Sequence, residues 1–191
     1  MKIYDIEQLI SEVKHRSVDN DRFVIVISGF AGSGKSSVCR LLEKALLDCS
    51  VIKVDDFIRT DESGAVYGHS HDYDALEKHC LRSIKSDTNV IVKTYEWKTN
   101  KAVVESRKVA HYTIIDGPVS LFQDKLLRYF DLKVWIDCPL ELATARGKQR
   151  DKDEYKVDLE DLWDTVWLPE QEQYYREQRP ELKADIIYKN Y

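Results

Sequence analysis

Phe23-Val24-Ile25-Val26-Ile27-Ser28-Gly29-Phe30-Ala31-Gly32-Ser33-Gly34-Lys35-Ser36 is the stretch that decides the fold. Its first five residues form a continuous, mostly β-branched apolar run, the pattern of a strand buried on both faces of a parallel sheet. From Gly29 onward it fits G-x-x-x-x-G-K-[ST] at every fixed position, between that strand and a helical pattern over Ser36 to Leu47. Gly29, Gly32 and Gly34 permit the backbone angles that turn successive N–H groups inward, which makes an anion nest at a helix N-terminus. Lys35 is expected to reach the β and γ phosphates of a nucleoside triphosphate, and Ser36 to place its hydroxyl on Mg²⁺. The candidate nucleotide-binding residues are Gly29, Phe30, Ala31, Gly32, Ser33, Gly34, Lys35, Ser36 and Ser37.

Outward from this stretch, short apolar runs recur at Val51 to Val54, Val90 to Val92, Thr113 to Ile115, Leu132 to Ile136 and Ile186 to Tyr188. Helical patterns lie between them at Tyr73 to Ile84, Leu121 to Arg128 and Leu140 to Lys148. That alternation predicts a three-layer α/β fold on a mostly parallel, five-stranded sheet, as one domain over residues 1–191. Ile3, Ile6, Leu9, Ile10 and Val13 recur at helical spacing, with Asp5 as a cap, so the chain is expected to begin with an amphipathic helix. Residues 92–105 break the alternation: Thr94-Tyr95-Glu96-Trp97, a polar turn, then Ala102-Val103-Val104 predict a hairpin on the substrate side.

Composition narrows the function. With 29 Lys and Arg against 34 Asp and Glu the chain is net acidic, the wrong sign for a broad nucleic-acid-binding face. The four cysteines form no C-x-x-C pair, so buried free thiols in a reducing compartment are expected rather than zinc or redox chemistry. The opening MKIYDIEQLI has acids among its apolar residues, unlike a secretory signal, and no run approaches the ~20 apolar residues of a membrane span. A soluble, cytoplasmic protein is expected.

Three further clusters carry chemistry. Asp55 and Asp56 end the Val51 to Val54 strand at the carboxyl edge of the sheet, where a carboxylate can accept the proton of a hydroxyl that attacks a phosphoryl group. Asp116, followed by Gly117, ends Thr113-Ile114-Ile115 and is a candidate for the Mg²⁺ shell beside Ser36. Arg146, Lys148 and Arg150 crowd the end of the Leu140 helix, a lid over residues 140–157 whose cations can offset charge on the transferring group. His69-Ser70-His71 lacks further ligands at metal-site spacing and is expected to be a substrate-side loop. Leu159, Leu162, Trp163 and Val166 repeat at helical spacing, a face for the core or for a homo-oligomer.

Together these residues resemble the uridine kinase and phosphoribulokinase family of P-loop small-molecule kinases, which includes nicotinamide riboside kinases. Gly29 to Ser36 matches its first motif, and Val54-Asp55-Asp56-Phe57-Ile58-Arg59 is similar to its Asp-x-Phe-Tyr-Arg segment, whose first acid serves as base. Tyr95-Glu96-Trp97 resembles its Tyr-Asp-Phe hairpin, Ile114 to Gly117 its Glu-Gly strand end, and Arg146 to Asp151 its lid. The resemblance implies an enzyme that uses ATP and Mg²⁺ to phosphorylate a small hydroxyl acceptor, with neither nucleic acid nor membrane as partner. It implies Asp55, Lys35, Arg146 and Arg150 as catalytic, Ser36 and Asp116 as metal-binding, and Asp56, Arg59, His69, Tyr95 and Trp97 as substrate-binding. The acceptor it implies is the 5'-hydroxyl of a nucleoside such as uridine, or a related riboside. The chain departs from the family at Gly68-His69-Ser70, where uridine kinases have Asp-His-Pro, leaving Asp72 or Asp74 to engage ribose hydroxyls. Asn100 stands about where a base-reading His would be. A nucleotide-binding switch or ATPase without a small acceptor is the alternative. The only Asn-Lys pair, Asn100-Lys101, continues into Ala102-Val103, so the guanine-reading Asn-Lys-x-Asp of a GTPase is absent.

Overall fold

The computed structural model describes residues 1–60, 66–86, 88–96 and 101–191. A six-stranded parallel sheet forms its centre, in the order β1-β10-β9-β2-β8-β3. The strands are β1 (Lys2–Ile3), β2 (Phe23–Gly29), β3 (Cys49–Lys53), β8 (Tyr112–Gly117), β9 (Leu132–Asp137) and β10 (Ile186–Lys189). The sixth strand departs from the five expected. Lys2 and Ile3 pair with Ile187 and Tyr188 instead of entering the first helix, because Asp5 caps that helix and stops it there. The Asp5 carboxylate accepts from the Gln8 N–H, so α1 (Ile6–Arg16) starts after it.

β2 shows why the apolar run makes a central strand. All seven of its residues are buried. Val24 and Val26 face one core with Ile52, Leu76 and Phe122, whereas Phe23, Ile25 and Ile27 face the other with Leu9, Val38 and Leu42. Alternate side chains therefore nail helices to both faces, each fully buried Val or Ile contributing about 1.5–3 kcal/mol. From β2 the chain runs through α2 (Lys35–Ala45) to the edge strand β3, then returns through β8 to one side of β2 and β9 to the other. The segment leaving β2 thus sits where the winding reverses, at the carboxyl edge, which is where open α/β sheets bind ligands.

Two smaller antiparallel pairs rise from the β3 side. A 3₁₀ turn (Val54–Phe57) leads into β4 (Ile58–Thr60), which pairs with β5 (Val66–His71). β6 (Val90–Glu96) and β7 (Lys101–Arg107) form the expected hairpin, in register from Val90 opposite Arg107 to Glu96 opposite Lys101. The Val90 to Val92 run is the root of this hairpin and not part of the central sheet. Between the pairs lies a helical run over residues 73–85: α3 (Tyr73–Leu76), a π turn (Glu77–Leu81) and α4 (Arg82–Lys85).

A 3₁₀ turn (Val119–Leu121) and α5 (Asp124–Leu127) join β8 to β9. After β9, α6 (Leu140–Arg150) passes through a π turn (Asp151–Tyr155) toward α7 (Glu160–Leu162). A second π turn (Trp163–Trp167), α8 (Leu168–Gln178) and α9 (Pro180–Lys183) return the chain to β10. Trp163 is 1 % exposed: its Nε1 donates to Asp151 Oδ2 at 2.7 Å, and its ring lies where a Cβ on Gly147 would be 2.4 Å away. This side chain belongs to the core and has no exposed face to offer another subunit. Among the described residues no helix is long and apolar enough to cross a membrane.

Candidate active site

The cradle is shaped by its glycines and held by its neighbours. Gly32 and Gly34 have φ of +80° and +93°, the left-handed region where a side chain is strained. Gly32 also presses on α6, since a Cβ there would lie 2.0 Å from the Ala143 carbonyl oxygen. Phe30 turns its ring into the interior, edge-on to Trp135 at 5.5 Å and tilted against Tyr175 at 5.1 Å. Its carbonyl accepts from Lys35 Nζ at 2.7 Å. The Ala31 N–H donates to Gln171 Oε1 on α8 at 2.6 Å, and Ser33 Oγ is buried without a hydrogen-bond partner among the described residues. These features fit a phosphate: a turn held open from behind, with an orphan hydroxyl inside it.

Around the cradle, charges converge. Ser36 Oγ donates to Asp116 Oδ2 at 2.7 Å, joining a hydroxyl and a carboxylate as hard-oxygen donors suited to Mg²⁺. Burial pushes the Asp116 carboxyl above its ordinary value, against the opposing pull of the Lys35 charge and the Ser36 hydrogen bond. Burial likewise pushes the Lys35 ammonium below its ordinary value, and Asp116 and Asp55 offset part of that. The same lysine therefore feels both carboxylates.

Asp55 lies on the 3₁₀ turn after β3, its side chain 76 % exposed. The protein around it works to raise its carboxyl, but His71, then Lys35 and Lys53, outweigh that and hold it below the ordinary carboxylate value. His71 Nε2 lies 3.0 Å from Asp55 Oδ1. Behind it the His71 ring leans on Tyr73, whose hydroxyl shares a 2.5 Å hydrogen bond with Ser120 Oγ. Burial raises the neighbouring Asp56 carboxyl, opposed by Arg107 at the root of the hairpin and by Lys53.

Of the residues singled out in the sequence, Lys35, Ser36, Asp55 and Asp116 come together, and Asp56 lies beside Asp55. Arg150 is close enough for its charge to depress the Lys35 ammonium, while its guanidinium forks onto the buried Asp151 at 2.8 and 3.0 Å. Arg146 turns to the end of the chain, donating to the Asn190 carbonyl at 3.1 Å. The side chains of Arg59, His69 and Tyr95, and all of Trp97 and Asn100, lie outside the described residues. Asp72 and Asp74 are already engaged, Asp72 accepting from the Ala75 N–H at the start of α3 and Asp74 from Lys125. Three contacts have no signature in the sequence: His71 on Asp55, Gln171 on Ala31 and Asn190 on the Ser33 carbonyl. They join positions 16, 140 and 157 apart, and none follows a fixed motif spacing.

The chain can now be set beside known proteins. The sequence profile of the AAA domain family matches residues 25–175. A uridine kinase of Haemophilus influenzae is 27% identical over 161 residues, 74% of each chain. The structure of a possible uridine kinase from Bacillus stearothermophilus superposes with a TM-score of 0.71 at 18% identity, covering 96% of both chains. A putative fructose transport system kinase from Silicibacter reaches 0.77 at 20% identity, over 97% of this chain and 99% of that one. The chain belongs to the AAA domain family and, among its P-loop members, is uridine kinase-like.

Proposed function

We propose that the protein transfers the γ-phosphoryl group of ATP to a hydroxyl of a small metabolite, the 5'-hydroxyl of a nucleoside such as uridine or of a related riboside. The observation that carries the reading is that Asp55 and Asp116 both act on the Lys35 ammonium of the cradle, with Ser36 Oγ donating to Asp116 at 2.7 Å. A carboxylate whose charge reaches the cradle lysine can take the proton of an acceptor hydroxyl. The similarity to uridine kinases supports the acceptor class.

In this reading the amides of residues 29–36 and the Lys35 ammonium hold the triphosphate. Ser36 and Asp116 hold Mg²⁺, which when bound neutralises charge on the phosphates. Asp55, held by His71, orients the acceptor hydroxyl and takes its proton as the new O–P bond forms and the bond to ADP breaks. Its depressed pKa keeps it ionised, and thus able to accept, throughout the neutral range. Arg146 and Arg150 on α6 are the proposed lid cations, and Asp56, Arg59, His69, Tyr95 and Trp97 are the proposed acceptor-binding residues. A cytoplasmic location accords with four free cysteines and with a need for ATP.

The test is Mg-ATP turnover across nucleosides, nicotinamide riboside, pantothenate and sugar alcohols, with Lys35→Ala as control. ADP release that depends on a riboside and is lost in the control is the expected result. Release that needs no acceptor would overturn the kinase reading in favour of an ATPase, and dependence on a non-riboside would overturn the acceptor class alone.

A further inference from the structure

The residue after β10 reaches back onto the phosphate cradle. Asn190 Nδ2 donates to the Ser33 carbonyl at 2.7 Å. The Asn190 N–H donates to the Asp137 carbonyl at the end of β9, and its own carbonyl accepts from Arg146 on α6. Its backbone is therefore pinned on both sides, and its amide is delivered to one place. That place is next to Gly34, where an added Cβ would lie 2.3 Å from Asn190 Nδ2. Glycine at this position thus serves two needs, the left-handed turn and room for the amide.

The contact has a consequence for the peptide unit that Ser33 and Gly34 share. No peptide bond among the described residues is cis, and in a trans peptide the carbonyl and the following N–H point in opposite directions. Drawing the Ser33 carbonyl out to Asn190 turns the Gly34 N–H inward. Glycine adopts positive and negative φ with similar ease, so an untethered Ser33–Gly34 peptide can rotate and present a carbonyl oxygen to the anion instead.

We infer that Asn190 is a positioning residue of the cradle, holding the Ser33–Gly34 peptide so that its N–H meets the β-phosphate of the nucleotide. The inference rests on the reading of the cradle as a nucleotide site. It adds that affinity for the β-phosphate depends on a side chain at the far end of the sequence. Through Arg146 the same residue joins the lid helix to the cradle.

The experiment is calorimetric titration of the wild type, Asn190→Ala and Asn190→Leu with ADP and with AMP, alongside thermal unfolding of each protein. Asn190→Leu keeps much the same volume with neither donor nor charge, so it serves even if Asn190→Ala folds poorly. The expected result is a loss of about tenfold in ADP affinity, the size of one hydrogen bond, with AMP affinity changed less than twofold. Unchanged ADP affinity in both variants would overturn the inference, and so would equal losses for ADP and AMP, the mark of general loosening. A wild type that binds no ADP would overturn the nucleotide reading itself, and the wild-type titration separates that failure from the others.

Discussion

The phosphate cradle and the Asp55–His71 region beside it are built by different means. On the phosphate side, besides the Lys35, Ser36 and Asp116 side chains, the proposed binding groups are backbone amides on a loop fixed from behind: Ala143 against Gly32, Gln171 on Ala31, Asn190 on Ser33, and Phe30 sunk between Trp135 and Tyr175. On the acceptor side they are side chains. Asp55 stands on a four-residue 3₁₀ turn and His71 at the end of a strand whose partner is three residues long, both outside the central sheet. A backbone cradle has few solutions, because it depends on φ, on glycine and on a helix start. A side-chain wall can be rebuilt residue by residue on the same frame, so in the proposed reading the first side binds the nucleotide and the second selects the acceptor.

Replacing one atom on the acceptor side gives the largest contrast between the two. Asp55→Asn keeps the shape but cannot take a proton, so kcat is expected to fall by about 10²–10⁴. Nucleotide affinity, which belongs to the other side, should stay within about twofold of wild type by calorimetry. Comparable losses in both would mean that the two sides are not separable.

A smaller effect, of another kind, is expected on the phosphate side. Gly32→Ala must place a methyl group against the Ala143 carbonyl in a left-handed turn. Backbone strain and overpacking together give a loss of about 2–5 kcal/mol in stability by chemical denaturation. Here stability and nucleotide affinity fall together, because the loop that binds is also packed against α6. A variant of unchanged stability would show that the cradle is less tightly backed than its contacts indicate.

The same division governs what could be read from the sequence. The cradle was legible because Gly29, Gly32, Gly34, Lys35 and Ser36 sit at fixed spacings that backbone geometry imposes, and the alternation of strand and helix followed from burial on both faces. Asp55 and Asp116 could be singled out because both follow apolar runs that lead to the carboxyl edge of the sheet, although β3 is only partly buried and Asp55 lies on the turn past its end. The strand Lys2–Ile3 was missed because two residues are too few to display a period of two, and Ile3 happens to continue the helical spacing of Ile6 and Leu9. Gln171 and Asn190 left no trace because their contacts cross 140 and 157 positions of sequence. Only the assembled sheet brings them to the loop.

His71 offers the finest probe of the acceptor side, because its effect is a displacement along the pH axis. Its hydrogen bond and charge are the principal forces that lower the Asp55 carboxyl, while the surrounding protein works to raise it. Catalysis needs the carboxylate form, so the rate falls as pH drops through the Asp55 pKa. In the wild type that acid limb lies below the ordinary carboxylate value of about 3.9. His71→Ala removes the strongest lowering partner and leaves only Lys35 and Lys53 against the raising surroundings, so the limb moves to higher pH while the plateau near neutrality changes less. kcat followed from about pH 4 to 8 detects the shift, which falls on a carboxylate rather than an imidazole titration. A limb that stays in place while the plateau collapses would mean that His71 acts on the acceptor and not on Asp55.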